Sequence, residues 1–394
     1  MARARRKAAQ PLNASERWTI PGQFRRTVRA VRFCDAKARI LAALHGLCEV
    51  KDVIRSGLGP QTWGWRRVTD GPIGEAHVLA RDSAGVELFA PATDRPAIPL
   101  SGPDGLDRHV RRDLRKQEQA IAREFMDGAM WPYVVAAWGG FALWVALFPL
   151  TMLDIVPLPI AFVISCVLAT GGYVTSHEAM HSNIAQRGSK RRWVNEWVGQ
   201  VSTIPIVFPF SMARLMHLEH HYHCNDPEKD PDYTDEAPNA LMAWYKTWYN
   251  RQPGVDGSIH AYKRILNEMG TPEAARSLEE TMVLQLVFMA VLFTMAWSGY
   301  AMEAALVWWL PRHIGLSYIR FYLSWAPHHP REGREGRYEN TRVFKSRLGH
   351  VLSMGMETHM IHHLYPHIPN HRTKEAYFAL KPILARRGVD VSAL

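Results

Sequence analysis

The sequence predicts an all-α integral membrane protein with four transmembrane helices, additional interfacial helices and a histidine-rich metal site on the cytoplasmic side. Three observations lead to this fold class. Long apolar stretches with few or no charges occur in two consecutive pairs, three histidine clusters lie beside them, and nearly all of the net charge of +10 precedes the first stretch. The mean hydropathy of −0.19 therefore averages a polar amino-terminal region with an apolar remainder.

The first pair of stretches runs from Trp131 to Leu153 and from Ile155 to Thr175, with the single acid Asp154 between them. About 20 apolar residues cross the hydrocarbon core of a bilayer as a helix. The pair therefore predicts a transmembrane hairpin with a minimal turn at 154–157. A buried hairpin of a soluble protein is the alternative, and the length of both stretches disfavours it.

The second pair repeats this pattern, with Thr281–Met302, the lone acid Glu303 and then Ala304–Ala326. The last stretch contains Arg312 and Arg320. Because a charged side chain is costly in lipid, we expect these groups to face protein or water.

Charge at the ends of the stretches predicts the orientation. Both short turns carry only acids, whereas the opposite ends are basic. The basic residues are Arg187, Lys190, Arg191, Arg192, Arg331, Arg334 and Arg337. By the positive-inside rule, both termini and all histidine clusters are expected to be cytoplasmic, in an inner or plasma membrane.

The remaining segments predict interfacial helices. Trp197–Met216 is moderately apolar and contains two prolines, which indicates an interfacial or re-entrant helix rather than a full span. Residues 233–275 are polar with scattered aromatics, typical of short membrane-surface helices. Arg111–Met126 has the pattern of an amphipathic helix that leads into the first span.

We divide the chain into a basic cytoplasmic extension, 1–110, and a membrane domain, 111–394. The extension is expected to be partly disordered, with a short helix near 36–53 and a strand near 76–80. Basic charge beside a membrane anchor favours contact with anionic lipid. No motif or interleaved aromatic pattern supports a nucleic-acid partner.

The histidine clusters carry the chemistry. They read His177-Glu-Ala-Met-His181, His217-Leu-Glu-His220-His221 and His359-Met-Ile-His362-His363. On a helix, positions i, i+3 and i+4 share one face, so each cluster presents its imidazoles to one point. Eight imidazoles from three segments could hold two metal ions. Imidazole suits iron, copper, zinc and nickel, and the four isolated cysteines form no CxxC pair.

The chemistry of the metal leaves alternatives open. Unactivated C–H bonds require an oxidant such as metal-activated oxygen, which redox-active iron can supply. Zinc has no redox chemistry and would indicate a zinc-dependent membrane hydrolase. A metal transporter is a further alternative, but its ligands should lie at mid-bilayer rather than at the ends of spans.

These residues resemble the membrane fatty acid desaturase superfamily, and most closely its carotenoid (β-carotene) ring hydroxylases and ketolases. The resemblance covers roughly residues 125–390. Besides the three clusters, it depends on residues 217–232, Trp325-Ala-Pro-His-His-Pro330, residues 337–342 and residues 362–369.

The resemblance implies a site and a reaction. It implies two non-haem iron ions, dioxygen as co-substrate, and hydroxylation of a carotenoid ring, with fatty-acyl lipid desaturation as the alternative. An external, ferredoxin-like electron donor and its reductase are implied, since no haem, flavin or nicotinamide motif is visible. The implied iron ligands are His177, His181, His217, His220, His221, His328, His359, His362 and His363; His328 comes from the proline–histidine element after the last span.

Acids near the clusters are candidates for orienting these imidazoles, because a ligating histidine usually donates its other N–H to a carboxylate. The candidates are Glu178, Asp226, Asp230 and Asp232; the alternative for the aspartates is that they cap turns. Outside the clusters, His223, His367 and His371 are expected to support the ligands or the fold rather than to bind metal, and His45, His77 and His109 to be ordinary surface residues.

Overall fold

The computed structural model describes residues 106–128, 130–252 and 254–394, and this part of the chain is helical, without a β-strand. The predicted helix 36–53 and strand 76–80, most of the extension 1–110, and His45 and His77 lie outside the described residues. The helices are α1 (Arg108–Met126), α2 (Trp131–Met152), α3 (Leu158–Met180), α4 (Arg192–Thr203), α5 (Phe210–Tyr222), α6 (Ala240–Tyr249), α7 (Ser258–Met269) and α8 (Pro272–Trp297).

A continuous helical run, α9, comes next and consists of Ala301–Glu303, a π-helical stretch Ala304–Trp309, Leu310–Ile319 and a second π-helical stretch Arg320–Trp325. The last helices are α10 (Gly349–Leu352), α11 (His359–Leu364) and α12 (Thr373–Arg386), and short 3-10 turns occur at Ile204–Ile206, Tyr233–Asp235, Met356–Thr358 and Asn370–Arg372.

The first predicted hairpin is formed by α2 and α3, two helices long and apolar enough to cross a membrane. The turn between them contains Asp154, whose φ is 56°, and the N–H groups of Ile155 and Val156 both donate to Leu150 O. Helix α3 continues past Thr175, the predicted end of the stretch, to Met180. The first histidine cluster therefore lies in the last turn of α3 rather than beyond it.

The third predicted span, α8, begins nine residues earlier than the uncharged stretch that predicted it. Thr271 caps it by accepting a hydrogen bond from Ala274 N, and Pro272 occupies the first helical position, where its missing N–H costs nothing. The turn after α8 is Ser298–Tyr300, with Gly299 at φ 97°. The prediction that Glu303 forms this turn was wrong, since Glu303 lies within α9.

The predicted fourth span corresponds to α9, which is not among the helices that qualify as spans by length and composition. In the described part of the chain these are α2, α3 and α8, and the bent pair α4–α5 would make a fourth if it is one span. The charged groups of α9 face protein, as expected: Arg312 Nε donates to Ile206 O at 3.2 Å, and Arg320 pairs with Asp235.

Helices α4 and α5 meet at an angle of 97°, a bend that fits a re-entrant loop or a broken span. The bend frees backbone carbonyls, which must be satisfied by protein where water is excluded. Trp308 Nε1 donates to Pro205 O at 3.1 Å, and Arg312 Nε donates to Ile206 O. Gln285 Nε2 lies 3.4 Å from Val207 O. Polar side chains within α8 and α9 thus stabilise the bend that leads into the second histidine cluster.

Helix α4 packs closely on α3, which fixes the first cluster relative to the second. A Cβ atom at Gly172 would lie 2.7 Å from Ser202 O, so only glycine fits there. Thr175 Oγ1 and Ser202 Oγ are 2.5 Å apart one turn farther along.

Helix α1 begins at Arg108, three residues before the predicted start, because the Asp107 carboxylate accepts a hydrogen bond from His109 N at 2.7 Å. Its buried Glu118 accepts hydrogen bonds from Tyr365 and pairs with Arg387 at 2.9 Å. This buried ion pair joins α1 to the carboxy-terminal segment after the third cluster.

Candidate metal centre

Three helices supply the histidine clusters. His177 lies in the last turn of α3 and His181 caps that helix. The second cluster belongs to α5 and the third to the short helix α11. The helical spacing therefore presents each cluster on one helix face, and the bent pair α4–α5 brings the second face towards the first.

The imidazoles form two groups of four. Within each group, the ligand nitrogens all lie within 4.8 Å of one another. Group one consists of His177, His181, His217 and His362, and group two consists of His220, His328, His359 and His363. All are buried except His363, which is half-buried.

The ninth predicted ligand, His221, lies between the two groups. Its Nε2 is 3.1 Å from His217 Nε2 and 2.9 Å from His362 Nε2, both in group one. Its ring stacks on His363 of group two, with ring centroids 4.1 Å apart. The structure therefore brings all nine predicted histidines together.

The donor set fits metal ions. Nitrogen faces nitrogen at 2.8 Å between His181 Nε2 and His217 Nε2, and at 3.1 Å between His363 Nε2 and His359 Nε2. His177 Nε2 is buried without a hydrogen-bond partner. Several ring nitrogens thus point their lone pairs towards one another without enough N–H protons to form hydrogen bonds between all of them. A metal ion bound among these nitrogens would accept the lone pairs.

The protonation state also fits. Burial is the largest cause that lowers the pKa of His328, His359 and His363 well below the usual histidine range. These imidazoles are therefore neutral at physiological pH, which is the form that ligates metals.

Among the four candidate acids, Asp230 contacts an imidazole. His220 Nδ1 donates to Asp230 Oδ1 at 2.9 Å, which directs His220 Nε2 into group two. The other carboxylate oxygen accepts hydrogen bonds from Asn225 N at 2.8 Å and from Arg331 Nη1 at 3.1 Å.

Arg331 is fully buried and donates to Asp230 Oδ2, the carboxylate oxygen that does not contact His220. Its Nη2 donates to the carbonyl oxygen of Ser324 at 2.6 Å and to the Ser324 hydroxyl at 2.9 Å. Hydrogen bonds that run from Arg331 through Asp230 to His220 thus join the end of α9 to group two. Sequence reasoning assigned Arg331 only to the basic membrane end, because its burial cannot be read from the charge pattern.

The other three acids contact groups other than the imidazoles. Glu178 accepts hydrogen bonds from Asn183 Nδ2 at 2.8 Å and from Asn370 N at 2.9 Å. Asp226 accepts from two backbone N–H groups of its own loop, as a turn cap does. Asp232 accepts from Tyr262 OH at 3.3 Å.

His328 is oriented by the backbone. Its Nδ1 donates to Asn340 O at 2.9 Å, and Cys224 Sγ lies 3.3 Å from the same nitrogen. Asn340 belongs to the segment 337–342 that contributed to the resemblance. Its carbonyl was missed as an orienting group, because a main-chain acceptor leaves no signal in side-chain identity.

The histidines outside the clusters lie outside both groups. His367 Nδ1 is 3.2 Å from Asn183 Oδ1, His371 Nδ1 is 3.0 Å from Tyr133 OH, and His223 Nε2 is 3.6 Å from Glu219 Oε2. His109, in the first turn of α1, is exposed.

Comparison with known proteins agrees with this site. The family model for fatty acid desaturases matches residues 153–393. A sn-1 oleoyl-lipid 12-desaturase of Anabaena variabilis is 24% identical over 244 residues, 57% of this chain and 69% of that protein. A zeaxanthin 4-ketolase of Chlamydomonas reinhardtii is 29% identical over 211 residues, 51% of this chain and 40% of that protein. A sn-1 acyl-lipid omega-3 desaturase (ferredoxin) of Synechocystis is 24% identical over 252 residues, 57% and 68% of the two chains.

Proposed function

This chain belongs to the fatty acid desaturase family, and from that premise we propose that it hydroxylates the ring of a carotenoid within the membrane, using two iron ions and dioxygen. Membership makes it a membrane oxidoreductase of the desaturase type. The substrate, the reaction outcome and the number of iron ions are our proposal.

The observation that carries the proposal is the pair of four-imidazole groups with His221 between them. Iron bound there would supply the activation of dioxygen that oxidation of an unactivated C–H bond requires. Zinc would fit the imidazoles equally well, but it has no redox chemistry. Family membership therefore supports iron.

The side chains of the protein have defined tasks in this reaction. Asp230 and the Asn340 carbonyl hold His220 and His328 with their Nε2 atoms towards group two. Burial excludes water from most of the imidazoles, and it lowers the pKa of His328, His359 and His363. The half-buried His221 and His363 lie on the more accessible side of the centre.

Two observations bear on the substrate. The motifs Trp325-Ala-Pro-His-His-Pro330 and 217–232 resemble the carotenoid-oxidising branch, and the similarity to a zeaxanthin 4-ketolase supports that choice. The similarity to an acyl-lipid 12-desaturase over a larger share of the chain favours acyl desaturation as the second candidate. The two reactions share every ligand and differ in the step after hydrogen abstraction.

We further propose an electron donor and an orientation. The name of one relative includes ferredoxin, which supports a ferredoxin-like donor and its reductase for this chain. The basic residues after α3 and α9 support cytoplasmic clusters and termini in an inner or plasma membrane. A reporter fused after Leu394 should be active in its cytoplasmic form, and activity only in the periplasm would refute this orientation.

The substrate test is expression in cells that make β-carotene, with a ferredoxin-like donor and its reductase, under ¹⁸O₂. We expect oxygenated ring products that carry the label, and none with the matched His362→Ala chain. Unchanged carotenoids together with a new double bond in membrane acyl chains would make the desaturase candidate correct and the hydroxylase proposal wrong.

A further inference from the structure

The segment between α9 and the third cluster contains an exposed apolar loop that ends in the short helix α10; residues 345–352 are here called the 345–352 loop. The exposed fractions of Leu348, Val351 and Leu352 are 50%, 85% and 58%, and Val351 has the highest value among the large apolar side chains of the described residues. Exposed apolar side chains clustered in one short loop mark an interaction surface.

The loop contacts α9, the predicted fourth span. Tyr318, on α9, donates its hydroxyl to Leu352 O at 2.5 Å. Tyr318 lies about two helical turns before α9 ends at Trp325. The hydrogen bond to Leu352 O therefore places the end of the loop beside α9, which is the predicted fourth span.

The surroundings of the loop match a lipid surface. Trp244 of α6 packs on Tyr318, with ring centroids 6.0 Å apart, and aromatic residues are enriched at membrane interfaces. The exposed cations Lys345 and Arg347 precede the apolar tip. Cations whose stems flank an inserted tip keep their charged ends among lipid headgroups.

The loop is also tied to the third histidine cluster. The buried Glu357, two residues before His359, accepts a hydrogen bond from Ser346 N at 2.8 Å, and its second oxygen lies 3.3 Å from His350 Nδ1. Phe344 N donates to the Glu357 carbonyl at 3.2 Å. These contacts with Glu357 therefore fix the loop in place next to the third histidine cluster.

We propose that the 345–352 loop inserts its tip, Leu348, Val351 and Leu352, into the membrane leaflet on the side of the histidine clusters, with Lys345 and Arg347 binding anionic headgroups. The part about the substrate rests on the proposed function: a lipid substrate in that leaflet meets the protein beside the segment that carries the third cluster.

The test uses the full chain with Cys34 and Cys48 replaced by Ser and Cys166 by Ala, the buried Cys224 being kept. Val351→Cys is labelled with an environment-sensitive fluorophore and reconstituted into vesicles that contain nitroxide-labelled lipid. Glu335→Cys, in an exposed polar loop after α9, is the matched control. We expect blue-shifted emission and several-fold stronger quenching at position 351 than at 335; equal quenching at both positions would overturn insertion.

The headgroup part has its own test. Vesicles of phosphatidylcholine are compared with vesicles containing phosphatidylglycerol, in the labelled Val351→Cys chain with and without Lys345→Glu and Arg347→Glu. We expect deeper quenching with phosphatidylglycerol, lost in the doubly substituted chain. The same response in both chains would overturn headgroup binding. Because neither readout needs iron, substrate or turnover, these outcomes are independent of the proposed reaction.

Discussion

The two imidazole groups contain the same number of ligands but are held in different ways. Group one takes its histidines from α3, α5 and α11, and in the described part of the chain none of its imidazoles makes a hydrogen bond to a carboxylate. Group two includes His328, from the turn after α9, and is held by Asp230 and by the Asn340 carbonyl. Group one is thus positioned by helix packing, whereas two imidazoles of group two, His220 and His328, are also held by polar partners.

For His328 this difference arises from where the residue lies in the chain. A histidine within a long helix has its direction set by the backbone and its neighbours, as for His177 in α3. A histidine in a turn, such as His328, has no such constraint and needs a hydrogen bond to the opposite ring nitrogen. We therefore expect metal binding by group one to depend on helix packing. Metal binding by group two should also depend on single polar partners of its histidines.

The largest effect should come from removing a ligand of either group. We expect His181→Ala or His362→Ala in group one, and His220→Ala in group two, to halve the iron content or remove it, with essentially complete loss of activity. Metal analysis of protein purified anaerobically checks this. His371→Ala, outside both groups, is the control, and an equal loss of iron in that variant would break the assignment.

A smaller effect, confined to group two, is expected for Asp230→Ala. Loss of a carboxylate that orients a metal-bound histidine typically costs about 10- to 100-fold in metal affinity or activity. Iron retention during titration with a chelator measures it. Glu178→Gln, at another buried carboxylate without an imidazole contact, should retain both iron ions; comparable losses in the two variants would contradict the comparison.

Arg331 and Arg387 offer a matched pair of buried arginines. Each pairs with a buried carboxylate, Asp230 at 3.1 Å and Glu118 at 2.9 Å. Breaking a buried ion pair costs about 3–5 kcal/mol, so Arg331→Met and Arg387→Met should both lower the free energy of unfolding. Only Arg331→Met should weaken iron retention in group two, and Arg331→Lys should restore part of it. Equal iron loss in both Met variants would indicate that Arg331 acts through general stability alone.

The smallest effect is expected for Asn340→Ala. Because His328 donates to the main-chain carbonyl of Asn340, the substitution leaves the acceptor in place. Iron content and chelator resistance should remain those of the unsubstituted chain. Selective loss of one iron ion would show that the Asn340 side chain, rather than its carbonyl, holds His328.

Much of the fold could be predicted, because hydrophobic length and histidine spacing are local signals. The hairpin α2–α3 and the convergence of the three clusters depend only on these signals. The start of α8 and the position of Glu303 could not be predicted from uncharged length, because the Thr271 cap extends α8 into polar sequence. The grouping of the histidines, the burial of Arg331 and the role of the Asn340 carbonyl depend on tertiary contacts, which spacing along the chain does not encode.

The central claim is that the two imidazole groups hold two iron ions that carry out oxygen-dependent chemistry. The most direct measurement is the metal content of the unsubstituted, membrane-extracted chain purified anaerobically, with its activity measured on the same sample. We expect two iron atoms per chain, with activity proportional to iron. Stoichiometric zinc without iron in a fully active sample would contradict the account.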